Sequence, residues 1–165
     1  MATITLKGNE IHTLGNLPEP GILAPGFALT TQDLSSASLS DYKGQKVILN
    51  IFVSLDTGTC AASVRAFNKE ATLLDNTVVL CISKDLPFAH KRFCDTEGIE
   101  KVVTLSDYKN DNFGDAWQTR MTDGPLEGLH SRCVVVIDEN GYVKYTEQVP
   151  EVTQEPDYKA ALAAV

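Results

Sequence analysis

The chain has 165 residues, 43% of them hydrophobic and 22% charged, proportions that suit one globular domain over residues 1–165 with its own core. Aspartate and glutamate outnumber lysine and arginine by 22 to 14, and the net charge of -8 repels phosphate backbones and anionic lipid, so no nucleic-acid or membrane partner is expected. The start, Met1 to Lys7, lacks a basic stretch followed by an apolar one, and no run approaches the roughly 20 apolar residues that cross a bilayer, which predicts a cytoplasmic location.

Residues 3–7 alternate Thr3, Ile4, Thr5, Leu6 and Lys7, then pass through Gly8 and Asn9 into Ile11, Thr13 and Leu14, a hairpin pattern. Prolines 18, 20 and 25 make residues 15–26 an extended connector without a regular ladder. Residues 47–53 form an almost continuous apolar run, as expected of a strand buried on both faces. Val64, Phe67, Ala71 and Leu74 then recur at three- and four-residue intervals, one apolar stripe of a helix. With the apolar run 78–82 behind it, this makes a βαβ unit.

A second helix is predicted over 87–97, with Pro87 tolerated in its first turn and Gly98 ending it. Weaker strands are predicted at 102–105 and, beyond the turn 138–141, at 142–145; a stronger one lies at 133–137. Pro156 and Asp157 open a last helix through Ala164. The sum is an α/β fold with a mixed sheet between helices.

Four cysteines, at 60, 81, 94 and 133, are too few for a disulfide scaffold, and no Cys-x-x-Cys pair suggests a zinc ribbon or a thioredoxin-type redox motif. Cys60 falls in the first turn of the first helix, after Asp56 and Thr57, either of which suits the N-cap. Unpaired N–H groups and the positive end of the helix dipole favour a thiolate there. Cysteine also packs well as a small apolar residue, so the residues alone leave both readings open.

Cys94, among Lys91, Arg92 and Asp95, reads as partly exposed; Cys81 and Cys133, inside apolar strands, read as buried and inert. His90 and Cys94, one helical turn apart, are two potential metal ligands, which do not make a site, and His90 reads as an incidental surface histidine. No metal or cofactor is expected. Glycine-rich phosphate loops, Ser-His-Asp order and paired carboxylates are all missing.

The segment from Ser54 to Arg65, with Thr57 and Cys60 in it, resembles the active-site segment of the thiol peroxidase subfamily of the peroxiredoxins. Further blocks resemble the same subfamily: Asp75 to Ser83, Asp85 to Ala89, Arg92 to Cys94, Asp123 to Leu126, Arg132 with Val134 to Asp138, and Glu155 to Tyr158. The resemblance implies a thioredoxin-like fold with an N-terminal hairpin. It makes Cys60 the peroxidatic and Cys94 the resolving cysteine of one intrasubunit disulfide, Thr57 the hydroxyl beside the peroxide, and Arg132, otherwise a plain surface charge, the guanidinium that holds thiolate and peroxide. It also implies a hydroperoxide substrate, thioredoxin as reductant and a homodimer.

A disulfide needs Cα atoms within roughly 7 Å, which two helix-borne cysteines do not obviously meet, so both segments are expected to unwind partly in each cycle. The sequence departs from the family's Pro-x-x-x-Thr-x-x-Cys at its first position, which is Val53. Valine keeps an apolar wall but frees φ and restores an N–H, changes expected to slow catalysis or ease over-oxidation. Two rivals follow: a domain that has lost turnover and serves as a redox sensor or binding module, with Val53 as its motive, and a disulfide reductase, which the absent Cys-x-x-Cys disfavours.

Overall fold

The computed structural model describes residues 1–165. Strands β1 (Thr3–Leu6) and β2 (Asn9–His12) pair antiparallel, Leu6 opposite Asn9, as the N-terminal alternation predicts. Lys7 and Gly8 turn the hairpin with φ of 50° and 83°, the two positive values a tight turn matched to strand twist requires.

The remaining strands are β3 (Ala28–Thr30), β4 (Ser36–Ser38), β5 (Lys46–Ile51), β6 (Thr77–Ser83), β7 (Val103–Ser106), β8 (Cys133–Ile137) and β9 (Val143–Gln148). They form one sheet in the order β4-β3-β7-β6-β5-β8-β9. The centre is parallel: β5 pairs Asn50 with Cys81 of β6, and β6 pairs Cys81 with Thr104 of β7. The outer pairs, β5 with β8, β8 with β9, and β3 with both β4 and β7, are antiparallel.

Helix α1 (Gly58–Ala71) crosses from β5 to β6, and α2 (Pro87–Glu97) from β6 to β7. The α2 boundaries are those its terminal residues dictate: Pro87 sits in the first turn, and Gly98 closes the helix at φ 67°. In α4 (Tyr158–Ala163) the Asp157 carboxylate caps the start by accepting the Ala160 N–H at 3.0 Å. No helix is long and apolar enough to cross a membrane.

Alternation along the central strands splits the core in two. On one face Ile48, Val79, Cys81, Val134 and Val136 pack against Cys60, Val64 and Phe67 of α1, Cys94 of α2 and Ala161 of α4, with Ile4 and Ile11 of the hairpin. On the other face Leu49, Ile51, Leu80, Ile82, Cys133 and Val135 pack against Phe113 and Trp117. Those two belong to α3 (Asn112–Trp117), a short helix that periodicity does not announce; its rings stack at 5.9 Å and are 2% and 0% exposed. Strands β3 and β4 are also unannounced, being three residues each with little β-branched content.

Candidate active site

The C-terminal ends of β5 and β6 and the N-terminal ends of α1 and α2 meet at one end of the central strands, where open α/β folds bind ligands. Cys60 lies in the first turn of α1, fully buried. Arg132, one residue before β8, reaches it: Nη2 donates to Sγ at 3.3 Å. Far from a surface charge, Arg132 is 1% exposed and is aimed by the Val152 carbonyl, which accepts from Nε at 3.0 Å and from Nη2 at 2.8 Å. Its Nη1 has no protein partner, a buried donor left free.

Thr57 occupies the N-cap position of α1, as expected, but its hydroxyl does not cap. It donates instead to the Ser54 carbonyl at 3.0 Å, so the hydroxyl is fastened to the turn ahead of the helix. The first turn is held from inside too: Ser63 Oγ donates to the Cys60 carbonyl at 2.7 Å and accepts from Asn50 Nδ2 at 3.2 Å.

A cavity of about 620 Å³ opens here, walled by Val53, Thr57, Gly58, Thr59 and Arg132. The hairpin tip (Leu6, Lys7, Asn9) and Pro125, Leu126, Val152 and Thr153 complete the wall. Cys60 itself is fully buried and is not among the wall residues. Val53, 4% exposed, stands where the family resemblance leads one to expect proline, and its N–H finds no acceptor in the protein. Asp123 ties the 121–126 loop to the hairpin, accepting from the His12 N–H at 2.8 Å and facing His12 Nδ1 at 2.6 Å. The carboxylate raises the His12 pKa, and His12 lowers that of Asp123.

The structure brings Cys60, Thr57 and Arg132 together; Cys94 belongs to the same core cluster as Cys60 but is not bonded to it. Cys94 is 6% exposed, not partly exposed as its charged neighbours suggest, because it sits on the α2 face turned to the sheet. Burial pushes its thiol pKa up; hydrogen bonds with Gln32 and with Thr104 of β7 offset part of the rise. Cys94 faces Thr104 of β7 while Cys60 faces Arg132 ahead of β8, and sheet order puts β6 and β5 between those two strands. All four cysteines are free thiols. Cys81 and Cys133 are buried and inert by environment, each pushed up to about 12 by burial.

His90 is no surface histidine: it is 0% exposed, with Nε2 2.9 Å from Ser83 Oγ, because its place on α2 is one turn from Cys94 on the same inward face. Sequence reasoning also passed over Asp85, whose carboxylate accepts from Ser54 Oγ at 2.7 Å, the Leu55 N–H at 2.9 Å and Ser83 Oγ at 2.6 Å. The available signal was an acidic residue directly after a buried strand and ahead of a helix. On the far face, buried His130 bridges Asp107 at 2.8 Å and Thr119 at 2.9 Å, steadying the chain two residues before Arg132. No three histidine, cysteine or carboxylate side chains converge as a metal site.

A cysteine under a guanidinium at the end of a thioredoxin-like sheet defines a peroxiredoxin, and comparison with known proteins agrees. The family model described as Redoxin matches residues 19–162. A thiol peroxidase of Mycobacterium tuberculosis is 52% identical over 165 residues, covering 100% of this chain and 99% of that protein. A peroxiredoxin-like protein from Aquifex aeolicus superposes with a TM-score of 0.92 at 32% identity, over 98% of this chain and 94% of that one. A thiol peroxidase from Chromobacterium violaceum, at 18% identity, TM-score 0.90 and the same coverages, shares the fold. The chain belongs to the Redoxin family, and within it to the thiol peroxidases.

Proposed function

We propose that the protein reduces hydroperoxides through Cys60, with Cys94 as the resolving cysteine and thioredoxin as the reductant. The observation that carries this reading is the guanidinium of Arg132, which gives Nη2 to the Cys60 sulfur at 3.3 Å while its buried Nη1 has no protein partner. One cation then serves both the thiolate and a peroxide oxygen, in a low-dielectric site where such interactions are strong. In this reading peroxide enters the cavity lined by Val53, Thr57, Gly58 and Arg132.

The chemistry balances without a cofactor. The Cys60 thiolate attacks the terminal peroxide oxygen; an S–O bond forms as the O–O bond breaks, and the leaving oxygen takes a proton and departs as alcohol or water. Sulfur is oxidised to a sulfenic acid. The Cys94 thiolate attacks that sulfur, the S–O bond breaks, water leaves and a Cys60–Cys94 disulfide forms. A dithiol returns two electrons and two protons. Cys94, buried and with its pKa raised, reaches the sulfur as a thiolate only after α2 yields. Action as a homodimer in the cytoplasm belongs to the same reading and rests on the family resemblance.

The test is thiol mass spectrometry after one equivalent of peroxide, on wild type and on Cys94→Ser. The expected products are a Cys60–Cys94 bond in the first and a sulfenic acid at Cys60 in the second. A bond through Cys81 or Cys133 would refute the mechanism. Peroxide-dependent oxidation of thioredoxin at catalytic rates separates turnover from a sensor.

A further inference from the structure

Two segments must move for the proposed disulfide to form, and one side chain holds both. We propose that Asp85 is a positioning residue whose carboxylate latches the Cys60 turn and the Cys94 helix together in the reduced protein, its two arms governing the two chemical steps separately. The inference rests on the peroxidase reading above and adds to it the device that sets the order of events.

The first arm runs to Cys60. Asp85 accepts from Ser54 Oγ at 2.7 Å and from the Leu55 N–H at 2.9 Å, fixing the turn that follows Val53. The carbonyl of the same Ser54 accepts the Thr57 hydroxyl at 3.0 Å and the Thr57 N–H at 3.2 Å. Carboxylate, turn, Thr57 and the start of α1 are therefore one connected piece, with Cys60 three residues beyond it. This arm sets where the Thr57 hydroxyl stands when peroxide enters.

The second arm runs to Cys94. Ser83 Oγ donates its only hydrogen to Asp85 Oδ2 at 2.6 Å, so toward His90 Nε2, 2.9 Å away, it can only accept. That assigns the His90 tautomer: Nε2 carries the hydrogen and Nδ1, buried without a partner, does not. Burial keeps the ring neutral at physiological pH, its pKa lowered to about 4. His90 stands one turn before Cys94 on the same helix face, so the Asp85–Ser83–His90 chain pins the part of α2 that has to release the resolving thiol.

The bonds are separable, which makes the latch testable. Rapid-quench thiol mass spectrometry on the full-length protein reads sulfenate formation at Cys60 and closure of the Cys60–Cys94 bond as two rates. Ser83→Ala cuts only the α2 arm: closure is expected to quicken about tenfold, the value of one buried hydrogen bond, with sulfenate formation unchanged. Ser54→Ala weakens only the α1 arm: sulfenate formation is expected to slow about tenfold while closure does not quicken. Ser83→Thr, which keeps the hydroxyl, is expected to restore the wild-type closure rate, and His90→Leu serves as the second cut of the α2 arm if Ser83→Ala does not fold.

If both cuts change both steps by the same factor, or neither step responds, the side chains are merely structural and the latch is overturned. Failure of wild type to form a Cys60–Cys94 bond at all would overturn the underlying mechanism, an outcome visible before any latch variant is compared.

Discussion

At Cys60 the proposed chemistry hangs on how a single guanidinium divides its donors. Arg132 satisfies the Val152 carbonyl twice, meets the sulfur at 3.3 Å and still has Nη1 free. An ammonium cannot reproduce that planar fork, so Arg132→Lys is expected to lower the second-order rate constant with peroxide about 100-fold, the usual order for losing one preorganised donor, as measured by competition kinetics. Val53→Pro should act the other way. The Val53 N–H has no acceptor in the protein, so proline removes no hydrogen bond, and its fixed φ stiffens the pocket wall. The expected outcome is a faster reaction with peroxide, read by stopped flow, and an unchanged denaturation midpoint; a slower reaction would show that valine is not what limits the site. Thr57 illustrates how far a residue can be read in advance: its N-cap position follows from the strand-to-helix handover, whereas its bond to Ser54 depends on the shape of a turn that propensity does not specify.

Helices α1 and α2 carry the two cysteines from β5 and β6, which lie side by side at the centre of the sheet. Their limits are largely legible, since a helical stripe, a first-turn proline and a left-handed Gly98 depend on neighbours three or four positions away. Which α2 residues face inward is less legible: Lys91, Arg92 and Asp95 surround Cys94 in sequence, yet they point outward while His90 and Cys94 turn to the sheet. Both thiols are free and buried at rest, and a disulfide needs Cα atoms within about 7 Å and side chains aimed at each other, so the proposed Cys60–Cys94 bond requires the helices to give way. Amide exchange is therefore expected to lose protection around residues 58–62 and 87–97 in the oxidised protein relative to the reduced one. Equal protection in the two forms would rule out unwinding. Short elements such as α3 escape periodicity because Phe113 and Trp117 are held by the opposite face of the sheet, a partner no local window contains.

For the whole molecule, buried His90 ties stability to pH. Its folded pKa lies near 4 against 6.5 for the free side chain, because burial penalises the charged ring. The unfolded chain thus takes up the proton first, so the contribution of neutral His90 is complete above pH 6.5 and is lost as pH falls toward 4, about 3 kcal/mol in all. Urea titrations at pH 7 and pH 5 should show wild type losing about 2 kcal/mol from this group, a loss absent from His90→Gln, which keeps a donor toward Ser83. An identical pH dependence in the variant would place the acid sensitivity elsewhere. The hairpin clamp runs oppositely at its histidine: the raised pKa of His12 makes its pairing with Asp123 strongest below pH 6.5, and lost as pH rises.

What the sequence determined by itself is the set of pieces and the chemistry each carries. Apolar runs marked the central strands, spacing and caps marked α1, α2 and α4, and residue order placed Cys60 at a helix start; the family blocks then supplied Thr57, Arg132 and Cys94 with their expected roles. These features are local, or are carried by contiguous segments, and so survive in one dimension. The tertiary structure alone decided that Arg132, 72 residues from Cys60, is buried with a donor at its sulfur, that Cys94 is covered, and that Asp85 bonds both the Ser54 turn and Ser83. Those facts follow from closing a seven-stranded sheet in an order unlike that of the chain, which sets the ends of β5, β6 and β8 side by side. Burial then turns polar side chains of unremarkable sequence into partners that must be satisfied.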